Sequence, residues 1–314
     1  MNIDDSGRHG GSARPTVSIV IPAWNEQDYL GECLDAIAAQ TDPPDEVIVV
    51  DNGSTDDTHR IAVSYPFVTV LEEPVPGIVP ARNRGLNAAT GDVLARIDAD
   101  SIVDPDWVAV VRAHFARAGA EEVAGITGSG DALIDGHPAL GHLLGKATLE
   151  YGYYPISEML TGGQVMVGCN MAITRAAWEA IREDAFPDHT KVHEDLDLSV
   201  LIHRADGHIH HLPEMRIRTR RVELEPPAKL WWRLRIWPNA VTRHRTPAMS
   251  MWSRRNRESR SGPKPRARIR RARKGRRRRP EGPTMALTDR CQHAGRRRSA
   301  RLYGQVCLPT GTPW

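Results

Sequence analysis

The sequence predicts an α/β fold with a mostly parallel sheet flanked by helices, and three observations carry that prediction. In the first hundred residues, four apolar, branched runs alternate with segments whose apolar residues recur at helical spacing, the pattern of strand-helix-strand units. The runs are apolar at nearly every position, as strands covered on both faces are. Two of them end in carboxylates, Asp51 and the pair Asp98 and Asp100, and no Gly-x-Gly-x-x-Gly follows the first run. The carboxyl edge therefore suits a cation-assisted nucleotide site better than a dinucleotide site.

Taken in order, Val17 to Pro22 reads as a buried strand stopped by proline, which has no N–H for a ladder. Ala23 to Glu26 is a loop. Leu30, Cys33, Leu34 and Ile37 then share one helix face, and Asp42-Pro43-Pro44 breaks the chain. Glu46 to Asp51 is a second strand. After the turn at Asn52-Gly53, Ser54 or Thr55 is placed to cap a helix from Asp56 to about Tyr65. Val68 to Leu71 is a third strand, a Pro/Gly-rich loop spans Glu73 to Gly77, and a helix near Ala81 to Ala88 leads to the central strand, Val93 to Ile97. Asp104-Pro105 opens a helix in which Val108, Val111 and Phe115 share a face, and Glu122 to Thr127 is a strand. Residues 128–163, rich in Gly, His and Tyr with weak periodicity, read as an insertion lying over the sheet. Gln164 to Ile173 reads as a strand with a glycine-assisted bend, followed by a helix from about Ala176 to Glu183. His193-Glu194-Asp195 precedes Leu198, Leu201, Ile202 and Ala205, which have helix spacing, so both acids sit in a first turn.

Composition divides the chain. From Met249 onward there are 20 Lys/Arg and 3 Asp/Glu; the preceding residues hold 22 and 36. Residues 248–314, with runs such as Arg276 to Arg279, have no periodicity and no core, and read as a disordered basic tail. Two readings of it stay open. It is either the product of a GC-rich gene translated out of frame, or an arm that binds nucleic acid or anionic lipid through phosphates. Residues 1–15 read as a disordered leader and not a signal peptide, four widely spaced cysteines fit a reducing cytoplasm, and no run of apolar residues is long enough to span a bilayer.

Five motifs, Val17 to Glu26, Val49 to Asp56, Ala81-Arg82-Asn83-Arg84-Gly85, Asp98-Ala99-Asp100 and His193-Glu194-Asp195, stand in the order and at the approximate spacings of one family. On these residues the chain resembles the family 2 glycosyltransferases of the GT-A fold, over roughly residues 15–225. The resemblance implies a nucleotide-sugar-binding half at 16–128 and an acceptor-binding half at 129–225. It implies that Pro22, Ala23 and Glu26 line the nucleoside pocket, that Asp51 meets the base, and that Asn52 stands where the family often carries a second acid. Arg82 would lie near the diphosphate, Asp98 would face the sugar or ribose and share the metal, and Asp100 would hold the metal, Mn²⁺ or Mg²⁺. Asp195 matches the family's catalytic base, with Glu194 beside it. The implied reaction is inverting transfer from a nucleotide-diphosphate sugar, a UDP-sugar foremost, to a hydroxyl of a glycan, lipid-linked or small-molecule acceptor. A metal site of His193 with Asp195 and Asp98 is an alternative, and so is a sugar-nucleotide-binding protein without turnover. Gly162-Gly163 and Gly168-Cys169-Asn170 resemble the family's acceptor-side segment.

Residues 226–247 alternate tryptophan and arginine, Trp231-Trp232-Arg233-Leu234-Arg235-Ile236-Trp237, and read as an amphipathic helix. Such a helix either lies on an anionic membrane surface or packs on the sheet, so the location expected is cytoplasmic with peripheral contact at the inner membrane face. A Gln-x-x-Arg-Trp signature carried by polymerising relatives is poorly matched there, which favours transfer of single sugars.

Overall fold

The computed structural model describes residues 14–117, 123–134, 136–188 and 191–220. The expected leader, Trp/Arg-rich helix and basic tail lie outside the described residues, apart from residues 14 and 15. Four strands form the parallel half of one sheet: β1 (Val17–Ala23), β2 (Glu46–Asp51), β3 (Val68–Glu72) and β4 (Val93–Ile97). Four more complete it: β5 (Ser101–Val103), β6 (Gly125–Ala132), β7 (Asn170–Thr174) and β8 (Ile209–Thr219). The order across the sheet is β3-β2-β1-β4-β7-β6-β8-β5. Strand β7 runs antiparallel to both β4 and β6, whereas β8 runs parallel to β6. Strands β1, β2, β4, β6 and β8 therefore all point their carboxyl ends the same way.

The helices are α1 (Leu30–Ala38), α2 (Thr58–Val63), α3 (Ile78–Ala88), α4 (Trp107–Arg117), α5 (Pro138–Gly145), α6 (Tyr154–Thr161), α7 (Arg175–Ile181) and α8 (Glu194–Arg204). Among the described residues no helix is long and apolar enough to cross a membrane. Strand alternation sorts the core onto two faces. On one, Val17, Ile19, Ile21, Val93, Ala95 and Ile97 pack on Leu30, Cys33, Leu34 and Ile37 of α1 and on Trp107, Val108 and Val111 of α4. On the other, α3 lies so close that a Cβ at Gly85 would sit 2.2 Å from Val20 Cγ1 and 3.0 Å from Val50 Cγ2. Gly85→Ala is expected to destabilise the fold by about 1–3 kcal/mol, the usual range for overpacking a core. A thermal melt checks this, and an unchanged midpoint would mean that α3 is free to lift off the sheet.

Several sequence expectations need correction. Pro22 does not stop β1, which continues to Ala23 and pairs Pro22 with Val50. The Asn52 N–H donates to the Ala23 carbonyl, so alternation turns the main chain of Pro22 toward β4, where pairing already ends at Val20. No donor is missed there. Neither Ser54 nor Thr55 caps α2, because both are engaged by Asn25. The Asp56 carboxylate instead receives the Thr58 N–H at 3.0 Å. Residues 138–161 are helical and not an irregular insertion. Between α5 and α6 the chain forms a π-helical stretch, Lys146–Tyr153, whose i→i+5 bonding breaks the 3.6-residue repeat and hides the helix from a periodicity reading. The strand expected over 164–173 is confined to β7, and β6 begins three residues later than expected and runs on to Ala132, across the expected division at 128/129.

Candidate active site

The carboxyl ends of β1, β2 and β4 bring most of the expected residues to one edge of the sheet. Pro22 and Ala23 are buried there, and the register sets Ala23 beside Asp51. Asp51 is 6 % exposed; its carboxylate accepts the Ser54 N–H at 3.0 Å and lies 3.2 Å from His59 Nδ1. Asn52 holds the next loop. Its amide donates to the carbonyls of Glu73 and Val75, both at 2.7 Å, and its Oδ1 accepts the Gly77 N–H at 2.8 Å. An aspartate at 52 would set a carboxylate against two carbonyl oxygens. Asn52→Asp is expected to lower stability by about 1–3 kcal/mol, roughly 0.5–1.5 for each of the two hydrogen bonds that the amide donates. Chemical denaturation checks it, and a wild-type midpoint would show that the 73–77 loop does not depend on the amide.

Glu26 opens the turn into α1, its N–H bonded to Thr58 Oγ1 at 2.7 Å. Burial raises the Cys33 thiol pKa, and the charges of Asp100, Asp98 and Glu26 raise it further. All three acids therefore lie within electrostatic reach of the Cys33 thiol, whose Sγ donates to the Asp98 carbonyl at 3.8 Å. The Asp100 carboxylate accepts the Thr219 hydroxyl at 3.0 Å, and its carbonyl accepts the Arg220 N–H.

A second group of acids is organised by an arginine that belongs to none of the five motifs. Arg96, in the middle of β4, is almost wholly buried. Its Nη2 donates to Asp98 Oδ1 at 3.0 Å, and its Nη1 lies 2.5 Å from Glu194 Oε1 and 3.5 Å from Asp195 Oδ1. Arg82, 1 % exposed, forms an ion pair with the other Glu194 oxygen and donates twice to Asn83 Oδ1. Glu194 thus bridges α3 and β4 from the first turn of α8. Asp195 turns its other oxygen to the Gly168 N–H at 2.9 Å. A Cβ at residue 168 would lie 2.5 Å from Asp195 Oδ1 and 2.6 Å from Arg96 Nη1, so the approach requires glycine.

The electrostatics separate the two neighbours. Burial, then the like charge of Glu194, pushes the Asp195 carboxyl well above the usual carboxylate range, although Arg96 and the Gly168 N–H pull the other way. Burial pushes Glu194 up too, but Arg96 and Arg82 outweigh it and hold that carboxyl low. The helix N-terminus that should favour a charged Asp195 is overcome by burial and a charged neighbour. Asp195 is placed to hold or take a proton, whereas Glu194 stays an anion between two guanidinium groups.

Among the described residues no three His, Cys, Asp or Glu side chains converge on a cation position. The alternative site of His193 with Asp195 and Asp98 is thus not formed; the His193 ring lies against Tyr153, centroids 6.0 Å apart. Asp98 and Asp100 remain as two hard oxygen donors one residue apart, a set that fits Mg²⁺ or Mn²⁺, which fill their other positions with water and phosphate oxygens.

The arrangement can be set beside known proteins. A family model described as "Glycosyl transferase family 2" matches residues 18–180. The chain is 38% identical over 104 residues to glycosyltransferase AglE of Haloferax volcanii, covering 31% of this chain and 34% of that protein. It is 33% identical over 121 residues to the chondroitin synthase of Pasteurella multocida, covering 37% of this chain and 12% of that one. The chain therefore spans about a third or less of the length of these two relatives. Of solved structures, glucosyl-3-phosphoglycerate synthase from Mycobacterium tuberculosis, in complex with Mn²⁺, UDP and glucosyl-3-phosphoglycerate, superposes with a TM-score of 0.53 at 22% identity, covering 70% of this chain and 76% of that one. A mannosyltransferase from Pyrobaculum calidifontis, in complex with GDP-Man and Mn²⁺, gives 0.52 at 24% identity, covering 72% and 61%. The fold is the GT-A fold of these structures, and by the match over more than half its length the chain belongs to glycosyl transferase family 2.

Proposed function

We propose that this protein is an inverting glycosyltransferase that moves a sugar from a nucleotide-diphosphate sugar to an acceptor hydroxyl with the help of a divalent cation. One observation carries the reading: a single buried guanidinium, Arg96, ties Asp98 at the end of β4 to Glu194 and Asp195 at the start of α8. An acid suited to the donor end and an acid suited to proton transfer are thereby held in one crevice. Pro22, Ala23, Glu26 and Asp51 receive the nucleoside, with Asp51 already fixed by Ser54 so that it meets the base without reorganising.

Asp195 accepts the acceptor's hydroxyl proton as that oxygen bonds to the anomeric carbon, and the bond from that carbon to the diphosphate breaks with its electron pair leaving on the diphosphate. Attack from the opposite face inverts the anomeric centre. Glu194, kept ionised by Arg82 and Arg96, holds the base's neighbour negative and favours proton uptake by Asp195. Asp100, with Asp98, would hold Mn²⁺ or Mg²⁺, which supplies positive charge to the departing diphosphate. The relatives' complexes with UDP and GDP-Man support a nucleotide-sugar donor of this kind.

The test is a thermal-shift screen of UDP- and GDP-sugars with Mn²⁺ or with a chelator, followed by NMR of the product's anomeric configuration. A ligand bound at 100 times its Kd stabilises the folded state by about 2.7 kcal/mol, so the true donor raises the melting point only when metal is present. A shift unaffected by chelation removes the metal from the proposal, and a retained anomeric configuration removes the direct displacement.

A further inference from the structure

A cavity of about 570 Å³ lies between the helical segment 138–161 and strands β6 and β8, apart from the Arg96 cluster. Lys146, Glu150 and Tyr151 of the π-helical stretch, Tyr154 of α6, and His211 and Arg216 of β8 are among its walls. Its volume lies within the roughly 300–1,000 Å³ of small-molecule sites.

Its position ties it to both groups of acids. Strands β6 and β8 end on the same side of the sheet as β4. Arg216 precedes Thr219 by three residues, roughly 10 Å along a strand, and the Thr219 hydroxyl holds Asp100. On the other wall Tyr153, adjoining Tyr154, packs on His193, the residue immediately before Glu194 and Asp195 at the start of α8. Gln164, a lining residue, lies four positions before Gly168, which bonds to Asp195. The cavity is therefore lined by the strand whose end bonds the metal-side acid and by the stretch leading to the residue that bonds the base.

Its lining is charged, with one more acid than base among Asp, Glu, Lys and Arg. The Asp131 carboxylate is met by Arg216 and by His142 Nδ1 at 2.9 Å, and Glu150 accepts the Ser129 hydroxyl at 3.1 Å. Three acids, Asp131, Glu150 and Glu158, stand against two bases, Lys146 and Arg216, so the lining offers adjacent acceptors and donors with no positive excess, which suits the hydroxyls of a neutral polyol more than it suits an anion. Apolar ring faces accompany them: Tyr154 and His211 pack with centroids 4.9 Å apart, and Tyr151 is 75 % exposed. The wall is also rigid. A Cβ at Gly145 would sit 2.1 Å from the Gly130 carbonyl oxygen, so the helix is seated on the main chain of β6. Eight π-helical residues are rare, and such turns gather at functional sites.

Resting on the transferase reading above, we infer that this cavity is the acceptor site and that the acceptor is a neutral pyranoside, its ring on the exposed Tyr151 face and its hydroxyls shared between the Asp131–Arg216 and Ser129–Glu150 pairs. The experiment uses the full chain and two variants, Tyr151→Ala, which removes an exposed side chain, and Glu150→Gln. Saturation-transfer NMR with a panel of methyl pyranosides reads binding directly; glycerol 3-phosphate and 3-phosphoglycerate serve as anionic probes. At least one pyranoside is expected to bind the parent and lose tenfold or more in affinity in both variants. Its KM in transfer should rise by the same factor, while hydrolysis of the donor sugar and the donor's thermal shift change less than twofold. Stronger binding of the anionic probes, equal affinity in the variants, or no binding of any pyranoside overturns the inference. A parent that neither hydrolyses a donor nor shifts with one overturns the transferase reading instead, and the binding arm still decides whether the cavity takes a pyranoside.

Discussion

Asp195→Asn is expected to lower kcat/KM for transfer by about 100- to 10,000-fold, the usual worth of a positioned general base, with the fold and donor affinity intact. The amide is a close match for the state the site already favours. Burial and Glu194 drive Asp195 toward its neutral form, and an asparagine Oδ1 can still accept the Gly168 N–H. The variant therefore keeps its shape and its melting point but has no site for the acceptor's proton. The pH profile follows with its sign. The carboxyl is pushed up to about 8, so in the free protein the proton is still held at neutral pH, and kcat/KM climbs as pH rises until it levels above that value. Activity is lost on the acid side, where the base is blocked. The asparagine variant should lack this rising limb, so initial rates from pH 5 to 9 for both proteins make the measurement. A variant within a few-fold of the parent, or a parent whose rate is flat over that range, would remove Asp195 from proton transfer.

Arg96→Met carries the largest expected loss of stability. The guanidinium is buried against Asp98, Glu194 and Asp195, and removing one partner of a buried ion pair costs about 3–5 kcal/mol, here because Asp98 loses its partner and buried Glu194 is left with Arg82 alone. In a domain of this size each kcal/mol shifts Tm by roughly 2–4 °C, so a fall on the order of 10 °C is expected, with transfer lost as the two acid groups separate. Arg96→Lys should recover little, because one ammonium cannot span three carboxyl groups that a planar fork reaches together. The diagnostic partner is Glu194→Gln. If the two side chains act as a unit, the double variant loses clearly less than the sum of the single losses. Additive losses in denaturant unfolding would show that Arg96 and Glu194 stabilise the fold independently.

Much of the amino-terminal half is legible in the amino-acid sequence. Leu30, Cys33, Leu34 and Ile37 turn one face of α1 to the core, as their spacing requires, and β2 and β4 have the bounds that their apolar runs suggest. The carboxylates that end β2 and β4 stand at the carboxyl edge, where strand direction puts them. Strand β8 is not legible. Its eleven residues include three charged side chains, two histidines and a proline, and only Ile209, Met215 and Ile217 are buried, so no alternation announces it. Thr219, the partner of Asp100, is hidden with it.

Arg96 is hidden for a different reason. In an apolar run an arginine reads as an incidental polar residue, and nothing within several positions says that Glu194, 98 residues onward, will meet it. Periodicity and end signals act over a few residues, and they determined the first four strands, most helices and the acids at the sheet edge. The proton affinities of Glu194 and Asp195 depend instead on burial and on charges drawn from α3, β4 and α8. Only the packing of those elements decided that one of two adjacent acids would be held as an anion and the other pushed toward its neutral form.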